Sequence, residues 1–200
     1  MERSFPFSQA CENNQQPILD VLRRHLKGPL RVLEIGGGTG QHAVFMARHL
    51  PEVNWQSTDV PDNVDSLNLR IAHARLPNLP AAVALDVADP SWPGTPVDAI
   101  FTANTLHIMS MASVREFFRG VERHLAPGGQ LLVYGPFRYN GAFTTESNAR
   151  FDLWLRERDE NSGVRDFEEI DRLANDSGLT LVQDYMMPAN NQLLVWQRSA

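Results

Sequence analysis

The 200-residue sequence is poor in cysteine and contains no long apolar run. Its single cysteine, Cys11, cannot form an internal disulfide, and no stretch approaches the roughly 18 consecutive apolar residues that a membrane helix needs. The first residues, MERSFPFSQACENNQQ, lack the basic and then apolar layout of a secretory signal. These absences predict a soluble protein of the cytoplasm, which is a reducing compartment, with no membrane partner.

The motifs of metal and acyl-enzyme chemistry are absent as well. The six histidines and the cysteine show neither paired C-x-x-C spacing nor H-E-x-x-H spacing, and no G-x-S-x-G nucleophile elbow occurs. A formal net charge of -6 argues against a broad positive surface for nucleic acid. The sequence therefore predicts no metal site, and it favours a small molecule over nucleic acid as the partner.

What is present is typical of one globular domain. Hydrophobic residues make up 42% of the sequence and charged residues 21%, and a chain of 200 residues can bury a core. Strand-like and helix-like patterns alternate, which is typical of a parallel sheet covered by helices. The final stretch, LTLVQDYMMPANNQLLVWQR, contains two strand-like runs joined by a short turn, which requires antiparallel pairing. We therefore expect residues 1–200 to form a single α/β domain.

Two helix starts carry local signals. Pro17 suits the first turn of a helix and is followed by apolar residues at helical spacing, which Gly28 and Pro29 end. Ser113 and Glu116 have the spacing of a capping box ahead of a second apolar stripe. We expect one helix to begin near Pro17 and another at Ser113.

A polar stretch over residues 139–165 interrupts the alternation. Within it, Phe151, Trp154 and Leu155 have helical spacing, and we expect them to belong to the core. Because the stretch departs from the alternating pattern, we interpret it as an inserted lid or pocket wall.

A glycine-rich turn lies in LRVLEIGGGTGQHAVFMARHL, residues 30–50, between a buried strand and a helix. Glycine lets a ligand approach the backbone where a Cβ atom would block it, and the helix N-terminus behind the turn presents free N–H groups. In open parallel sheets, ligands bind at this carboxyl end of the strands. The turn therefore predicts a binding site for a cofactor with polar or anionic groups.

The glycines fit two cofactor patterns. The dinucleotide fingerprint G-x-G-x-x-G/A can begin at Gly38, with Asp59 near the spacing of a ribose-binding acid. The pattern E-x-G-x-G-x-G instead places Glu34 ahead of Gly36, Gly38 and Gly40. The first pattern predicts an NAD-binding Rossmann oxidoreductase, and the second predicts an S-adenosylmethionine site.

Further stretches resemble a known family. LAPGGQLLVYG, residues 125–135, and the final hairpin are similar to those of Rossmann-like (class I) S-adenosylmethionine-dependent methyltransferases, and the resemblance covers nearly the whole chain. More narrowly, TESNARFDLWLRERDENSGVRD and MPANNQLLVW resemble the methyltransferase-like protein 26 family. The resemblance implies a doubly wound, mostly parallel seven-stranded sheet with a C-terminal antiparallel hairpin, and S-adenosyl-L-methionine as the cofactor.

The same resemblance implies a role for individual residues. It implies that the methionine end of the cofactor contacts Glu34, Gly36, Gly38, Gly40 and Asn14. It also implies that the ribose contacts Asp59, that the adenine contacts Asp86, Val60 and Val87, and that the reacting end lies near Asn104. His107 and Tyr134, near the ends of two strands, are the candidate catalytic residues. Ordinary structural roles compete with these assignments, because acids before turns often accept backbone hydrogen bonds and histidines often lie in cores.

Methyl transfer requires little covalent chemistry from a protein, since it depends chiefly on orientation, exclusion of water and, for some acceptors, a general base. The motif N-P-P-[YF] of nucleic-acid amino methylases is absent after the fourth strand, where ANTLH stands. We therefore predict a methyltransferase for a small-molecule acceptor. The alternatives are a non-catalytic S-adenosylmethionine-binding or protein-interaction module and, with less support, the NAD-binding oxidoreductase.

Overall fold

Helices and strands alternate through residues 5–200, the part of the chain that the computed structural model describes. The helices are α1 (Gln9–His25), α2 (Gln41–His49), α3 (Pro61–Ala74), α4 (Met111–His124), α5 (Glu146–Arg158) and α6 (Phe167–Asp176). The strands are β1 (Arg31–Ile35), β2 (Asn54–Asp59), β3 (Val83–Ala84), β4 (Val97–Ala103), β5 (Leu125–Gly135), β6 (Phe137–Tyr139), β7 (Ala142–Phe143), β8 (Arg165–Asp166), β9 (Leu179–Met187) and β10 (Asn191–Arg198).

Seven of these strands form the main sheet, in the order β3-β2-β1-β4-β5-β10-β9. The first five are parallel to one another, whereas β10 is antiparallel to both β5 and β9. A single turn of 3₁₀ helix, Pro188–Asn190, closes the final hairpin. The predicted mostly parallel, seven-stranded α/β sheet with a C-terminal antiparallel hairpin is therefore confirmed.

The core lies on both faces of this sheet. On one face, α1, α2 and α3 cover buried side chains that include Trp55 and Phe101. On the other face, α4 and α6 cover a second cluster that includes Phe117 and Trp196. Burial of each such aromatic side chain stabilises the fold by about 1.5 to 3 kcal/mol, so the two layers hold the sheet rigid beneath its carboxyl edge.

The order of the strands places a crevice at that edge. β1 pairs with β2 on one side and with β4 on the other. The connections that follow the strands on the two sides of β1 therefore cover opposite faces of the sheet, and they separate at the carboxyl end of β1. Ligands of open α/β sheets bind at such a switch point. The glycine-rich turn follows β1 directly and therefore lies in the crevice.

The start of α1 differs from the prediction. Pro17 lies inside the helix, which begins eight residues earlier at Gln9, after Ser8 accepts a hydrogen bond from the Cys11 nitrogen. Proline removes the hydrogen bond to the carbonyl four residues before it, here that of Asn13, an exposed residue whose carbonyl can bond water instead. The expectation that Pro17 marks the first turn is therefore wrong.

The start of α4 also differs, although the helix itself is confirmed. Ser110 is the N-cap, and its hydroxyl accepts from the Ser113 nitrogen at 3.1 Å. Glu116 forms an ion pair with Arg119 rather than closing a capping box. The predicted box was wrong because two serines three residues apart can both serve as caps, and the chain uses the first.

Residues 139–165 form the predicted interruption. They contain β7 and α5, and they bring β8 beside β6 in a small sheet of order β7-β6-β8. Leu155 is buried as predicted, but Trp154 is 44% exposed and lies beneath the Arg158 guanidinium, so its assignment to the core was wrong. No helix in the described part of the chain has the length and apolar content to span a bilayer.

Candidate functional site

The glycine-rich turn is tightly packed on one side and open on the other. Thr58, at the end of β2, accepts hydrogen bonds from the nitrogens of Gly36 and Gly37. A Cβ atom on Gly36 would lie 2.4 Å from Cγ2 of Thr105, whereas one on Gly38 would meet no protein atom within 4 Å. Since Gly38 also has a positive φ of 55°, its backbone forms an exposed cradle in a left-handed conformation that favours glycine.

Asp59 holds this cradle in place. Its Oδ2 accepts a hydrogen bond from the Gly38 nitrogen at 2.6 Å, and its Oδ1 accepts from Val60 N at 2.8 Å and from Asn63 Nδ2 at 2.9 Å. The carboxylate thus joins the carboxyl end of β2, the start of α3 and the glycine-rich turn. Because a carboxylate has about four acceptor positions, Asp59 retains capacity for a ligand hydroxyl beside Gly38.

Glu34 lies beneath the turn at the end of β1. Its Oε2 accepts from Ser57 Oγ at 2.6 Å and from Trp55 Nε1 at 3.1 Å. Burial raises the pKa of this carboxyl, and the bonds from Ser57 and Trp55 counteract part of that rise. Within residues 5–200 no protein donor bonds Oε1 of Glu34, so this oxygen is available to a ligand donor.

The positions assigned to adenine differ from one another in exposure. Asp86 is exposed, and its Oδ1 accepts from the Ala88 nitrogen at 2.9 Å, which closes a turn after β3. Val60 is 40% exposed at the entrance of the crevice, but Val87 is buried in the apolar cluster on the α4 side. Val60 and the free Oδ2 of Asp86 are therefore the more accessible groups for a ring and its amino substituent.

Asn104 and Tyr134 meet at the ends of β4 and β5. The Asn104 nitrogen donates to the Tyr134 carbonyl at 2.9 Å, and Asn104 has a positive φ of 59°. Asparagine is among the few residues that tolerate this left-handed conformation. The contact fixes the turn after β4 directly above the crevice.

Beside Asn104, three buried polar side chains meet on the α1 and α2 face of the sheet. His42 Nε2 lies 2.6 Å from Asn14 Oδ1, and the Tyr134 side chain is buried in the same layer of the core. Burial lowers the pKa of His42 to about 4. Burial also raises the pKa of Tyr134, and the nearby amides of Asn14 and Asn191 offset part of that rise.

His42 was treated as an ordinary residue of the first helical turn, so sequence reasoning missed its contact with Asn14. No local signal marks this pair, because the two residues lie 28 positions apart on different helices. Only the packing of α1 on α2 brings them together.

His107 lies on the opposite side of β5 from the Tyr134 side chain. Successive residues of a strand point to opposite faces, and a Cβ atom on Gly135 would lie 3.7 Å from Nδ1 of His107. The ring packs edge-on against Phe151 of α5, with centroids 5.2 Å apart. Burial, reinforced by the positive charge of Arg165, lowers the pKa of His107 to about 4. The two candidate catalytic side chains therefore border the crevice from different faces and do not form a pair.

The N-terminal segment is attached to the glycine-rich turn. The Ser8 nitrogen donates to Gln41 Oε1 at 2.6 Å, and Gln41 Nε2 donates back to the Ser8 carbonyl at 3.2 Å. Arg70 Nε donates to the Thr39 carbonyl at 2.6 Å, and its Nη2 donates to the Pro6 carbonyl. These bonds place residues 5–8 against the loop that borders the candidate site.

Comparison with family models places the chain in a family. A family model described as "Protein of unknown function (DUF938)" matches residues 5–198. The chain belongs to this family. The match covers all six helices and all ten strands described above.

More distant similarity connects the DUF938 chain to methyltransferases. It is 24% identical to "O-methyltransferase fsr2" of Gibberella fujikuroi, over 92% of this chain and 49% of that protein. An O-methyltransferase family protein from Burkholderia thailandensis has a similar structure, with a TM-score of 0.81 and 22% identity over 96% of this chain and 58% of the other. Human N-acetylserotonin methyltransferase, in complex with S-adenosylmethionine, gives a TM-score of 0.80 and 15% identity over 96% and 53%. The chain spans about half the length of these proteins, and it has the fold of their S-adenosylmethionine-dependent methyltransferase class.

Proposed function

We propose that this DUF938 protein is an S-adenosylmethionine-dependent methyltransferase with a small-molecule acceptor. The observation that carries the proposal is the contact of Asp59 with Gly38, which places a carboxylate with spare acceptor capacity beside an open backbone cradle. Methyltransferases among the sequence relatives and structural neighbours support it.

The residues around the crevice offer polar groups that suit this cofactor. Asp59 accepts from a ribose hydroxyl at the acceptor position that its three protein donors leave free, because carboxylate oxygens act only as acceptors. Glu34 accepts from the methionine amine through Oε1, while its other oxygen stays bonded to Ser57. The remaining proposed contacts are the backbone of Gly36, Gly38 and Gly40 and the side chains of Asn14, Val60, Asp86, Val87 and Asn104.

The bound cofactor would supply a methyl group already activated on a sulfonium. The chain then has to orient the acceptor and exclude water, and orientation can contribute a large part of a rate enhancement. His107 is uncharged near neutral pH, because burial holds its pKa at about 4. It can therefore take a proton from an acceptor, although its low basicity makes it a weak general base.

Tyr134 has a different proposed role. Because burial raises the pKa of Tyr134, the phenol stays protonated near neutral pH and is unsuited to act as a base. It can instead donate its proton in a hydrogen bond that orients the acceptor. Catalysis in this proposal rests mainly on proximity.

Several more specific parts of the proposal rest on the sequence. They include the resemblance to the methyltransferase-like protein 26 family, a cytoplasmic location and an acceptor other than nucleic acid. They also include a single domain over residues 1–200, in which residues 139–165 cover the site together with the N-terminal segment. The contact of Phe151 with His107 supports this cover, since it brings α5 to the rim of the crevice.

The test uses ligand binding and turnover together. Calorimetry with S-adenosylhomocysteine and with NAD distinguishes the two cofactor patterns, and we expect binding of the first alone. Turnover is then followed as release of S-adenosylhomocysteine with catechol, phenol, benzoate, aniline and thiophenol as acceptors. NAD binding without S-adenosylhomocysteine binding would overturn the proposal, and cofactor binding without turnover would favour the non-catalytic module.

A further inference from the structure

The turn that carries His107, residues 106–109, is bonded to the segment that follows α5. At the two ends of this His107 turn, Arg165 Nε donates to the Leu106 carbonyl at 3.0 Å, and its Nη2 donates to the Met109 carbonyl. The same Nη2 donates to the Asn161 carbonyl at 2.9 Å. One guanidinium therefore joins the beginning and the end of the turn, and its rigid fork of donors fixes their separation.

The two middle carbonyls of the His107 turn are bonded to the same segment. The Gly163 nitrogen donates to the His107 carbonyl at 2.9 Å, and Ser162 Oγ donates to the Ile108 carbonyl at 2.8 Å. With the two guanidinium contacts, all four consecutive carbonyls of the turn accept a bond from this segment. The segment therefore determines where the turn lies.

The segment is in turn bonded to α5. The Val164 nitrogen donates to Asp152 Oδ1 at 2.7 Å, and Asp152 Oδ2 accepts from Arg156 Nε at 2.7 Å. Phe151, the residue before Asp152 on α5, packs against the His107 ring. The imidazole and the backbone that carries it are thus both attached to the helix beside the crevice.

Arg165 contributes donors to this arrangement without an ion pair. Its exposed fraction is 8%, and among residues 5–200 no carboxylate forms an ion pair with it. A buried charge is costly unless it is well bonded, and here backbone carbonyls are the partners. Arg165 also begins β8, which pairs with β6, so its backbone is fixed to the small sheet.

We propose that Arg165 is a positioning residue, which holds the His107 turn so that the imidazole stays at the rim of the crevice beside the methyl acceptor. This rests on the proposed function. When the guanidinium is replaced, the first and last carbonyls of the turn lose their donors. The turn can then move away from β8, and the ring becomes more exposed to solvent.

The first test needs no substrate and measures the pKa of His107. In protein labelled with ¹³Cε1-histidine, the His107 resonance is assigned by its loss in His107→Asn. Burial and the Arg165 charge lower this pKa to about 4 in the wild type. Arg165→Lys keeps the charge but carries its donors on one nitrogen, so it does not reproduce the fork. We expect the pKa of His107 to rise to about 5 or higher in Arg165→Lys, and further in Arg165→Met, because the ring is less buried.

Arg198→Met is the matched control for this titration. Arg198 also donates to two backbone carbonyls, those of Glu122 and Leu125, but it does so near the amino end of β5, away from the crevice. Its replacement should leave the pKa of His107 unchanged. A pKa that stays near 4 in Arg165→Lys would show that Arg165 acts through its charge alone, and would overturn the positioning role.

Ser162→Ala gives a milder form of the test if the Arg165 variants fail to fold. It removes the donor to the Ile108 carbonyl and changes no charge. The pKa of His107 should again rise, by less than in Arg165→Lys, and the Gly163 amide should exchange faster. A variant that changes neither would contradict the proposal.

The second test links the His107 turn to turnover. Rates are measured with a methyl acceptor that does not itself titrate between about pH 5 and 7, such as phenol. The wild type and Arg198→Met should show no step from His107 in this range, whereas the rate of Arg165→Lys should increase with pH through the raised pKa. In a His107→Ala background the step should disappear. A rate without this step in Arg165→Lys, or a step that persists without His107, would overturn the proposal.

The two tests also separate this inference from the proposed function. If the wild-type protein neither binds S-adenosylhomocysteine nor methylates any acceptor, the proposed function fails. The titration of His107 still decides whether Arg165 positions the turn.

Discussion

The Asp59 carboxylate accepts a hydrogen bond from the backbone nitrogen of Gly38 at 2.6 Å. This bond links the second strand to the turn after the first, and it aligns the acid with the exposed part of the turn. Asp59 therefore has a structural and a proposed ligand-binding role through the same group.

Replacing Asp59 by alanine should weaken S-adenosylhomocysteine binding by at least about tenfold. The variant loses the acceptor of a ribose hydroxyl, and a hydrogen bond to a charged group is worth about 1.5 to 3 kcal/mol. Asn63→Ala is the matched control, because it removes one contact to Asp59 Oδ1 but leaves the carboxylate. Calorimetry measures both, and equal affinity of wild type and Asp59→Ala would refute the ribose assignment.

Glu34→Gln should also weaken S-adenosylhomocysteine binding, by a smaller factor of about three to ten, because the charge that faces the methionine amine is lost. The glutamine oxygen can still accept from Ser57 and Trp55, so the variant should fold. Binding is again measured by calorimetry, with thermal unfolding as the folding control. Under the dinucleotide pattern, Glu34 lies outside the fingerprint and the change should have no effect.

His107→Ala should lower turnover by about 100-fold if the imidazole is the general base, with S-adenosylhomocysteine affinity nearly unchanged. Because the pKa of His107 is held at about 4, its deprotonation should be complete well below neutral pH. The wild-type rate should then show no step from His107 between about pH 6 and 8. A variant with unchanged turnover would assign His107 to packing against Phe151.

Stability should fall as the pH drops from 6.5 toward 4. Both His42 and His107 have a folded pKa of about 4 against an ordinary value of 6.5. Between these values the unfolded chain binds protons that the folded protein does not, so the contribution is complete above 6.5 and decreases as the pH falls. The loss is on the order of 3 kcal/mol for each histidine. Urea unfolding across this range measures it, and His107→Asn should reduce the slope; an unchanged slope would contradict the assignment.

Hydrogen exchange should slow in residues 5–16 and 139–165 when S-adenosylhomocysteine binds, if these segments close over the site. The Ser8 and Gly163 amides are specific reporters, since they donate to Gln41 and to the His107 carbonyl. Central amides of β10, such as that of Leu194, are the control and should not change. Exchange that stays the same in both segments would exclude the cover.

The starts of α1 and α4 show what residues close together in the sequence can and cannot predict. The apolar stripe of α4 was sufficient to predict a helix, but Ser110 and Ser113 are equally suitable caps in the sequence. The choice between them depends on where the chain turns after β4, and that position is set by packing against the sheet. Pro17 shows the same limit, because a cap at Ser8 and an exposed Asn13 carbonyl allow a proline inside α1.

The sequence by itself determined the α/β class, the terminal hairpin and the glycine-rich turn at the end of β1. These features depend on the periodicity of apolar residues and on residue types that lie within a few positions of one another in the chain. The tertiary structure alone decided that Asp59 bonds Gly38, that His42 meets Asn14, and that Tyr134 and His107 lie on different faces of β5. Those relationships join residues far apart in sequence, and their geometry exists only once the helices pack on the sheet and exclude water from between them.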